Sequence, residues 1–267
     1  MRTLRTLIRG QARARSRKVS WSAMIVVGSA ANAKRALAIR EEARSAASRY
    51  IERLRSHAAA DLDDIESTIL RALDHALADR TLTTRFDELR HEPEHVYEHS
   101  VGVCVLSLIL GIELGYSFGD LKALAAGAIL HDVGKAYVSD TIWNLPRKLT
   151  DEEFEEVRKH PALGFEALRR HHGLDIRAAQ VVYQHHERMD GKGYPRGLVG
   201  EQIHRFARIV AVADVYDAVT STRPYRDALP IEEAIRIITA ERGKAFDPIV
   251  VEAFQRRFGK AHRDNVN

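Results

Sequence analysis

The segment RFARIVAVADVYDAVTS, residues 205–221, sets a carboxylate, Asp214, in the middle of an apolar run. A carboxylate taken out of water is costly unless it is paired or bound to a cation. Any fold that buries this run must therefore bring a partner to Asp214. The same constraint recurs along the chain. His131-Asp132 ends the apolar stretch AILHD, His160 ends VRKH, His185-His186 ends VVYQHH, and His99 follows Tyr97 into VGVCVLSLILGIELG. One such residue is ordinarily a core polar group satisfied by its neighbours. Five separate segments, each delivering an imidazole or a carboxylate from an apolar context, point to convergence on one centre.

These segments read as helices. Residues 34–56 place Ile39, Ala43, Ala46, Tyr50 and Leu54 three or four apart, and Asp61 to Leu77 repeats the pattern with Leu62, Ile65, Ile69, Leu73 and Leu77. Pro93 suits the first turn of the apolar helix that follows it, Thr150 with Glu153 has capping-box spacing, and Pro230 precedes an acidic helix start. Hardly any stretch alternates with period two, so a sheet has nothing to build from. The expectation is an all-α fold, a helical bundle preceded by a short helical N-terminal segment. The divisions expected are a basic arm over 1–33, helices over 34–91 and the main domain over 92–267. The two narrow stripes are expected to pack within the chain; a homodimer through these N-terminal helices is the alternative.

Charge is unevenly spread. Arg2, Arg5, Arg9, Arg13, Arg15, Arg17 and Lys18 carry the first twenty residues with no acid, and without those seven, 34 basic residues face 37 acidic ones. The basicity is thus an arm, read as a solvated tail rather than a nucleic-acid or membrane contact. Ala31-Asn32-Ala33 has the form of a cleavage site, but the apolar part before it is short and broken by serines. No segment approaches the ~18–20 apolar residues of a membrane span. A cytoplasmic protein is expected. The single cysteine, Cys104, excludes an internal disulfide and reads as a small core residue.

Imidazole and carboxylate donors without thiolate suit Mn, Fe, Co, Ni or Zn. Seven donors exceed the need of one metal and match a pair sharing a carboxylate, with Asp132 the natural bridge. The loop HHERMDGKGYP, residues 185–195, adds two glycines and a Tyr-Pro to this chemistry. Other histidines read blandly: His57, His75, His204 and His262 lack an evident partner, and His171-His172 stands at a helix end before Gly173.

HDVGK at 131–135 and HHERMDGKGYP at 185–195, with KLTDEEFEEVRKHP, AVADVYDAVTSTRPYR and FDP at 246–248 in order, resemble the HD-GYP domain of the HD phosphohydrolase superfamily. The resemblance runs from about Glu92 to Phe254. It implies two or three metals, often iron or manganese, and hydrolysis of cyclic di-GMP by attack of a metal-activated hydroxide on phosphorus. Its metal ligands fall on His99, His131, Asp132, His160, His185, His186 and Asp214. Lys135, Arg223 and Arg226 are expected to neutralise phosphate oxygens, and Tyr194 to meet a guanine or a neighbouring protein. Asp217, one turn after Asp214, is expected either to accept a proton from water or to orient a ligand imidazole. Glu187 and Asp190 are expected to brace the metal ligands, with Gly191 and Gly193 turning the chain.

Some positions depart from the family pattern. Val138-Ser139-Asp140 and Leu145-Pro146-Arg147 replace the usual Ile-Pro-Asp and Lys-Pro-Gly, with Arg147 the expected substitute charge. His95 stands where three-metal members have a glutamate, so two divalent metals and the linear product pGpG, rather than GMP, are expected. The alternatives are phosphohydrolysis of another cyclic nucleotide and a non-catalytic module. Docking to a diguanylate cyclase through the GYP loop is the partner that the resemblance suggests.

Overall fold

The computed structural model describes residues 30–55, 65, 67, 69, 71, 96–139, 142, 145, 147–169, 173–221 and 227–259. Among them every long element is a helix: α1 (Ala30–Arg55), α2 (Val96–Glu113), α3 (Phe118–Leu130), α4 (Asp151–Val157), α5 (His160–Leu168), α6 (Ile176–Gln184), α7 (Arg205–Thr220), α8 (Ile231–Ala240) and α9 (Pro248–Phe258). A five-residue 3-10 turn, Val133–Tyr137, follows α3. Extended pairing among the described residues is confined to the isolated bridges Asp190–Val199 and Arg242–Phe246. The all-α expectation holds.

Helix boundaries follow the capping chemistry in the sequence. Ser117 opens α3 by accepting from the Asp120 amide, and Asp175 opens α6 by accepting from Arg177. Thr150 and Glu153 form the reciprocal box expected for α4, with bonds of 3.2 and 2.7 Å. Pro230 stands at the start of α8 with Glu232 and Glu233 in its first turn. The FDP segment has a mechanical role. Phe246 is buried, Asp247 caps α9 through the Ile249 amide, and its carboxylate pairs with Arg208 of α7 at 2.9 Å.

Helix α2 is apolar on most of its surface and is therefore central. Val103, Leu106, Leu108, Ile109 and Leu110 are buried, and α1, α3, α7 and α9 all pack on the helix. Cys104 is buried there as expected, its thiol directed at the Ala125 carbonyl and its pKa pushed up to about 12 by burial. Ala43, Ala46 and Tyr50 of α1, with Ile65 and Ile69, join the same core. Helix α1 begins at Ala30, so it crosses the division expected after residue 33 and takes in Ala31-Asn32-Ala33. Pro93, Leu62, Leu73 and Leu77 lie outside the described residues.

The 3-10 turn after α3 sits directly on α5. A Cβ at Gly134 would lie 1.9 Å from the His160 carbonyl oxygen and 2.6 Å from the Gly164 amide nitrogen. Both neighbours are backbone, so nothing there yields by changing rotamer. Glycine at this point lets the chain carrying His131 and Asp132 approach the helix that begins with His160. Gly134→Ala is expected to keep the helical circular dichroism while lowering the free energy of urea unfolding by ~1–3 kcal/mol and weakening divalent-metal affinity at least ~10-fold. Wild-type metal affinity in the folded variant would refute this account.

Candidate metal centre

The last carbonyls of a helix have no partner within it. Here three imidazoles answer them. His131 is the C-cap of α3 and its Nδ1 lies 2.7 Å from the Ala128 carbonyl. His185 is the C-cap of α6 and bonds the Val182 carbonyl at 2.9 Å. His160 opens α5 and bonds Val157, the last residue of α4, at 2.7 Å. A carbonyl only accepts, so each Nδ1 carries a hydrogen and each Nε2 is the nitrogen left to face the centre. All three Nε2 atoms are thereby aimed away from the helix ends.

They are aimed at carboxylates and at one another. Asp132, His160, His185 and His186 form one group of ligand atoms, and His99, His131 and Asp214 form a second, each with its atoms within 4.8 Å of one another. The Nε2 atoms of His160 and His185 stand 3.3 Å apart. Two lone pairs at that distance repel unless a cation or a proton lies between them. His131 Nε2 is buried and makes no hydrogen bond, although Asp132 Oδ2 is 3.3 Å away. Asp132 joins the groups: Oδ1 is 3.3 Å from His160 Nε2, and Oδ2 faces His131 while accepting from the Lys135 ammonium. An orphaned buried nitrogen, opposed lone pairs and a two-faced carboxylate are what divalent cations would satisfy. The donor set fits them.

Charge states agree with that reading. Burial acts to raise the Asp132 carboxyl, but Lys135, His131 and His160 overcome it and hold the group well below the usual range. Asp214 is also held far down, with burial opposed by His99, His131 and His186. Burial and the neighbouring imidazoles push His186 down to about 3 and His185 well below its ordinary value. Four ligands are therefore in the protonation state that metal binding needs at neutral pH. His99 differs. Burial acts to lower it, yet Asp214, 3.0 Å from Nε2, and Asp217, 2.7 Å from Nδ1, raise it to about 9. The buried Asp217 carboxylate lies against the His99 ring, the contact that the expected orienting role needs.

The GYP loop is built onto the ligands. Gly191 has φ +73°, and a Cβ on Gly193 would meet the Arg188 amide nitrogen and Glu187 Cα at 2.5 Å. Both glycines do what the sequence suggested. The Tyr194 ring stacks on His186 at 4.7 Å, and the Arg158 guanidinium lies 5.0 Å over the same ring. Burial and then the Asp132 and Asp214 charges raise the Tyr194 phenol, with Arg158 pulling the other way. Glu187 does not brace the imidazoles, as expected, but the loop itself. Its buried carboxylate accepts from the Arg196 and Leu198 amides at 2.7 and 2.9 Å. Asp190 likewise holds Arg188, which reaches the buried Glu241 after α8 at 3.0 Å.

Residues 84–250 match the HD domain family. The chain belongs to that family. Among curated proteins it is 41% identical over 204 residues to a cyclic di-GMP phosphodiesterase of Pseudomonas aeruginosa, covering 76% of this chain and 47% of the relative. It is 37% identical over 150 residues to a 3'3'-cGAMP-specific phosphodiesterase of Vibrio cholerae, covering 56% of this chain and 32% of the relative. The chain thus spans less than half the length of these relatives. Among solved structures it resembles an HDG"Y"P protein from Bdellovibrio bacteriovorus at TM-score 0.70 and 19% identity, over 83% of this chain and 71% of the other. That likeness is one of fold.

All seven ligands read from the sequence of this HD domain are brought together, with Lys135 and Asp217 beside them. Arg223, Arg226 and His95 lie outside the described residues. Arg147 is a correction. Its guanidinium is paired with Glu153 at the start of α4, with both contacts 2.7 Å, and is not offered to the centre. His204 is structural as expected, its Nδ1 accepting from the Phe206 amide at the start of α7. Sequence reasoning missed Arg158, and its only signal was a place two residues before His160. No described helix is long and apolar enough to cross a membrane.

The raised His99 sets a pH dependence. Its folded pKa of about 9 exceeds the ordinary 6.5, so its stabilising contribution is full below 6.5 and fades as pH rises through about 9. A cation binding His99, His131 and Asp214 must displace that proton. Divalent-metal titration of metal-free protein at pH 7 by calorimetry, repeated in buffers of different ionisation enthalpy, is expected to show about one proton released at this group. Affinity should rise between pH 6.5 and 9. Proton release indistinguishable in His99→Asn would contradict the assignment.

Proposed function

We propose that the chain is a metal-dependent phosphodiesterase that hydrolyses cyclic di-GMP to linear pGpG. One observation carries the reading: seven imidazole and carboxylate ligands from separate helices converge in two groups, and Asp132 faces both. The similarity to curated cyclic di-GMP phosphodiesterases supports the choice of substrate. The same donors suit iron or manganese, which take imidazole and carboxylate together.

The residues divide the work as follows. Asp132, His160, His185 and His186 would hold one cation, and His99, His131, Asp214 and a shared Asp132 a second. When bound, such cations supply a water-derived nucleophile at neutral pH and neutralise charge on phosphoryl oxygens. Asp217 holds the His99 ring so that Nε2 faces the centre. Lys135, bonded to Asp132, stands where its ammonium can meet a phosphate oxygen as charge builds there. Tyr194 covers His186 and shields that ligand from solvent. Arg223 and Arg226 are assigned to the phosphates on the resemblance alone.

A second reading has its own support. The similarity to a 3'3'-cGAMP-specific phosphodiesterase makes a mixed cyclic dinucleotide the competing substrate. Protein purified without oxygen and supplied with Mn²⁺ or Fe²⁺ is expected to convert cyclic di-GMP to pGpG faster than it converts 3'3'-cGAMP. Asp132→Asn should lower turnover at least ~100-fold, since it removes charge shared by both groups. Faster turnover of 3'3'-cGAMP would move the assignment to the second substrate. No turnover of either by metal-loaded protein would refute phosphodiesterase activity.

A further inference from the structure

We propose that Arg158 is a specificity-determining residue whose guanidinium contacts the O6/N7 edge of a guanine in the bound cyclic dinucleotide. The inference rests on the reading of the chain as a cyclic di-GMP phosphodiesterase and adds to it a role for a residue to which the resemblance assigns none.

Position is the first argument. Arg158 is the C-cap of α4, two residues before His160, which begins α5 and belongs to the ligand group. Its backbone is helical, with φ −63° and ψ −11°, so its place relative to His160 is set by rigid local geometry. The guanidinium carbon lies 5.0 Å over the Tyr194 ring, which lies 4.7 Å from the His186 ring. The Tyr194 ring thus lies against both a ligand imidazole and the Arg158 guanidinium.

The state of the guanidinium is the second. Its side chain keeps 27% exposure, and its ion pair is with Glu155, which is 62% exposed, at 2.6 Å. A pair that wet is screened and weak, so it exchanges readily for a better-matched partner. Beside the Tyr194 ring, the guanidinium donates through Nη1 to Glu155, and a guanidinium has five N–H donors in all. The structure therefore offers a cation that is held in place yet open to a ligand.

Chemistry selects the partner. With the scissile phosphate directed to the ligand groups and Lys135, the bases and the second phosphate are the parts left to recognise. A phenol ring beside a guanidinium suits a flat partner that accepts hydrogen bonds. Guanine presents two acceptors, O6 and N7, that match an arginine fork. Adenine places an amino donor where O6 would be, against the N–H rim.

The test compares wild type with Arg158→Met and Arg158→Lys on cyclic di-GMP and on bis(p-nitrophenyl) phosphate, a diester without bases. Metal content is measured in each. Cyclic di-AMP serves as an inhibitor of the chromogenic reaction. Arg158→Met is expected to raise KM for cyclic di-GMP about 10-fold more than for the base-free diester. Its metal content should be that of wild type, and inhibition by cyclic di-AMP should change less than 2-fold. Arg158→Lys should recover little, because an ammonium cannot donate in a fixed fork. Equal losses on both substrates, or lost metal, would show that Arg158 only supports Tyr194 and the ligands. Cyclic di-AMP weakened as much as cyclic di-GMP would make the contact a phosphate one. Either result overturns the proposal while leaving the activity standing. Wild type that cleaves the chromogenic diester but not cyclic di-GMP would instead overturn the reading on which the proposal rests.

Discussion

A helix that ends inside a protein leaves carbonyls that must find donors, and here those donors are the imidazoles of the candidate centre. Ala128, Val157 and Val182 each receive an Nδ1 hydrogen from the residue three positions on. The bond answers a need of the fold, since an unpaired buried carbonyl costs ~1–3 kcal/mol. It also fixes which nitrogen faces the centre. Ligand orientation is thus a by-product of ending three helices correctly. A histidine in mid-helix would have no such carbonyl, because the i−4 ladder would already hold it.

Bringing these helix ends together demands contacts closer than side chains allow. Gly134 lets the turn after α3 rest on the backbone of α5, and Gly164 on α5 faces Gly134 in return, its own Cβ position only 3.0 Å from the Gly134 amide nitrogen. Gly127 does the same between α3 and α6, where a Cβ would meet Val181 at 2.7 Å. The three helices that deliver His131, His160 and His185 are therefore in near-backbone contact around the ligands. Small residues at crossings bring helices closer than the usual 8–10 Å spacing. That closeness is what allows Nε2 atoms from different helices to stand 3.3 Å apart.

The convergence of these imidazoles and carboxylates was legible because each is polar in an apolar setting, which is a property of the chain alone. The Thr150 cap was legible for a related reason, since its partner lies three residues on. Features that depend on distant backbone were not. Glu187 accepts from amides nine and eleven residues on, which no spacing rule anticipates, and so its expected contact with the imidazoles was wrong. Arg147 looked like a replacement charge near the centre but found a nearer carboxylate in Glu153. Arg158 was hidden by its pairing with Glu155 three residues earlier, which reads as an ordinary solvated helix face.

Electrostatic balance shows which of its own charges the protein sets against the carboxylates of the centre. Asp132, Asp214 and Asp217 are carboxylates with little contact with water, and buried charges of one sign cost several kcal/mol each, to order of magnitude, when left alone. The protein answers them with cations of its own. The Lys135 ammonium sits on Asp132, and the His99 imidazolium lies between Asp214 and Asp217. These are mobile charges in a chemical sense: an ammonium on four methylenes can swing away, and an imidazolium can lose its proton. The motif HDVGK spaces ligand and lysine three residues apart, one helical turn, and so the same carboxylate is within reach of both the lysine and the metals.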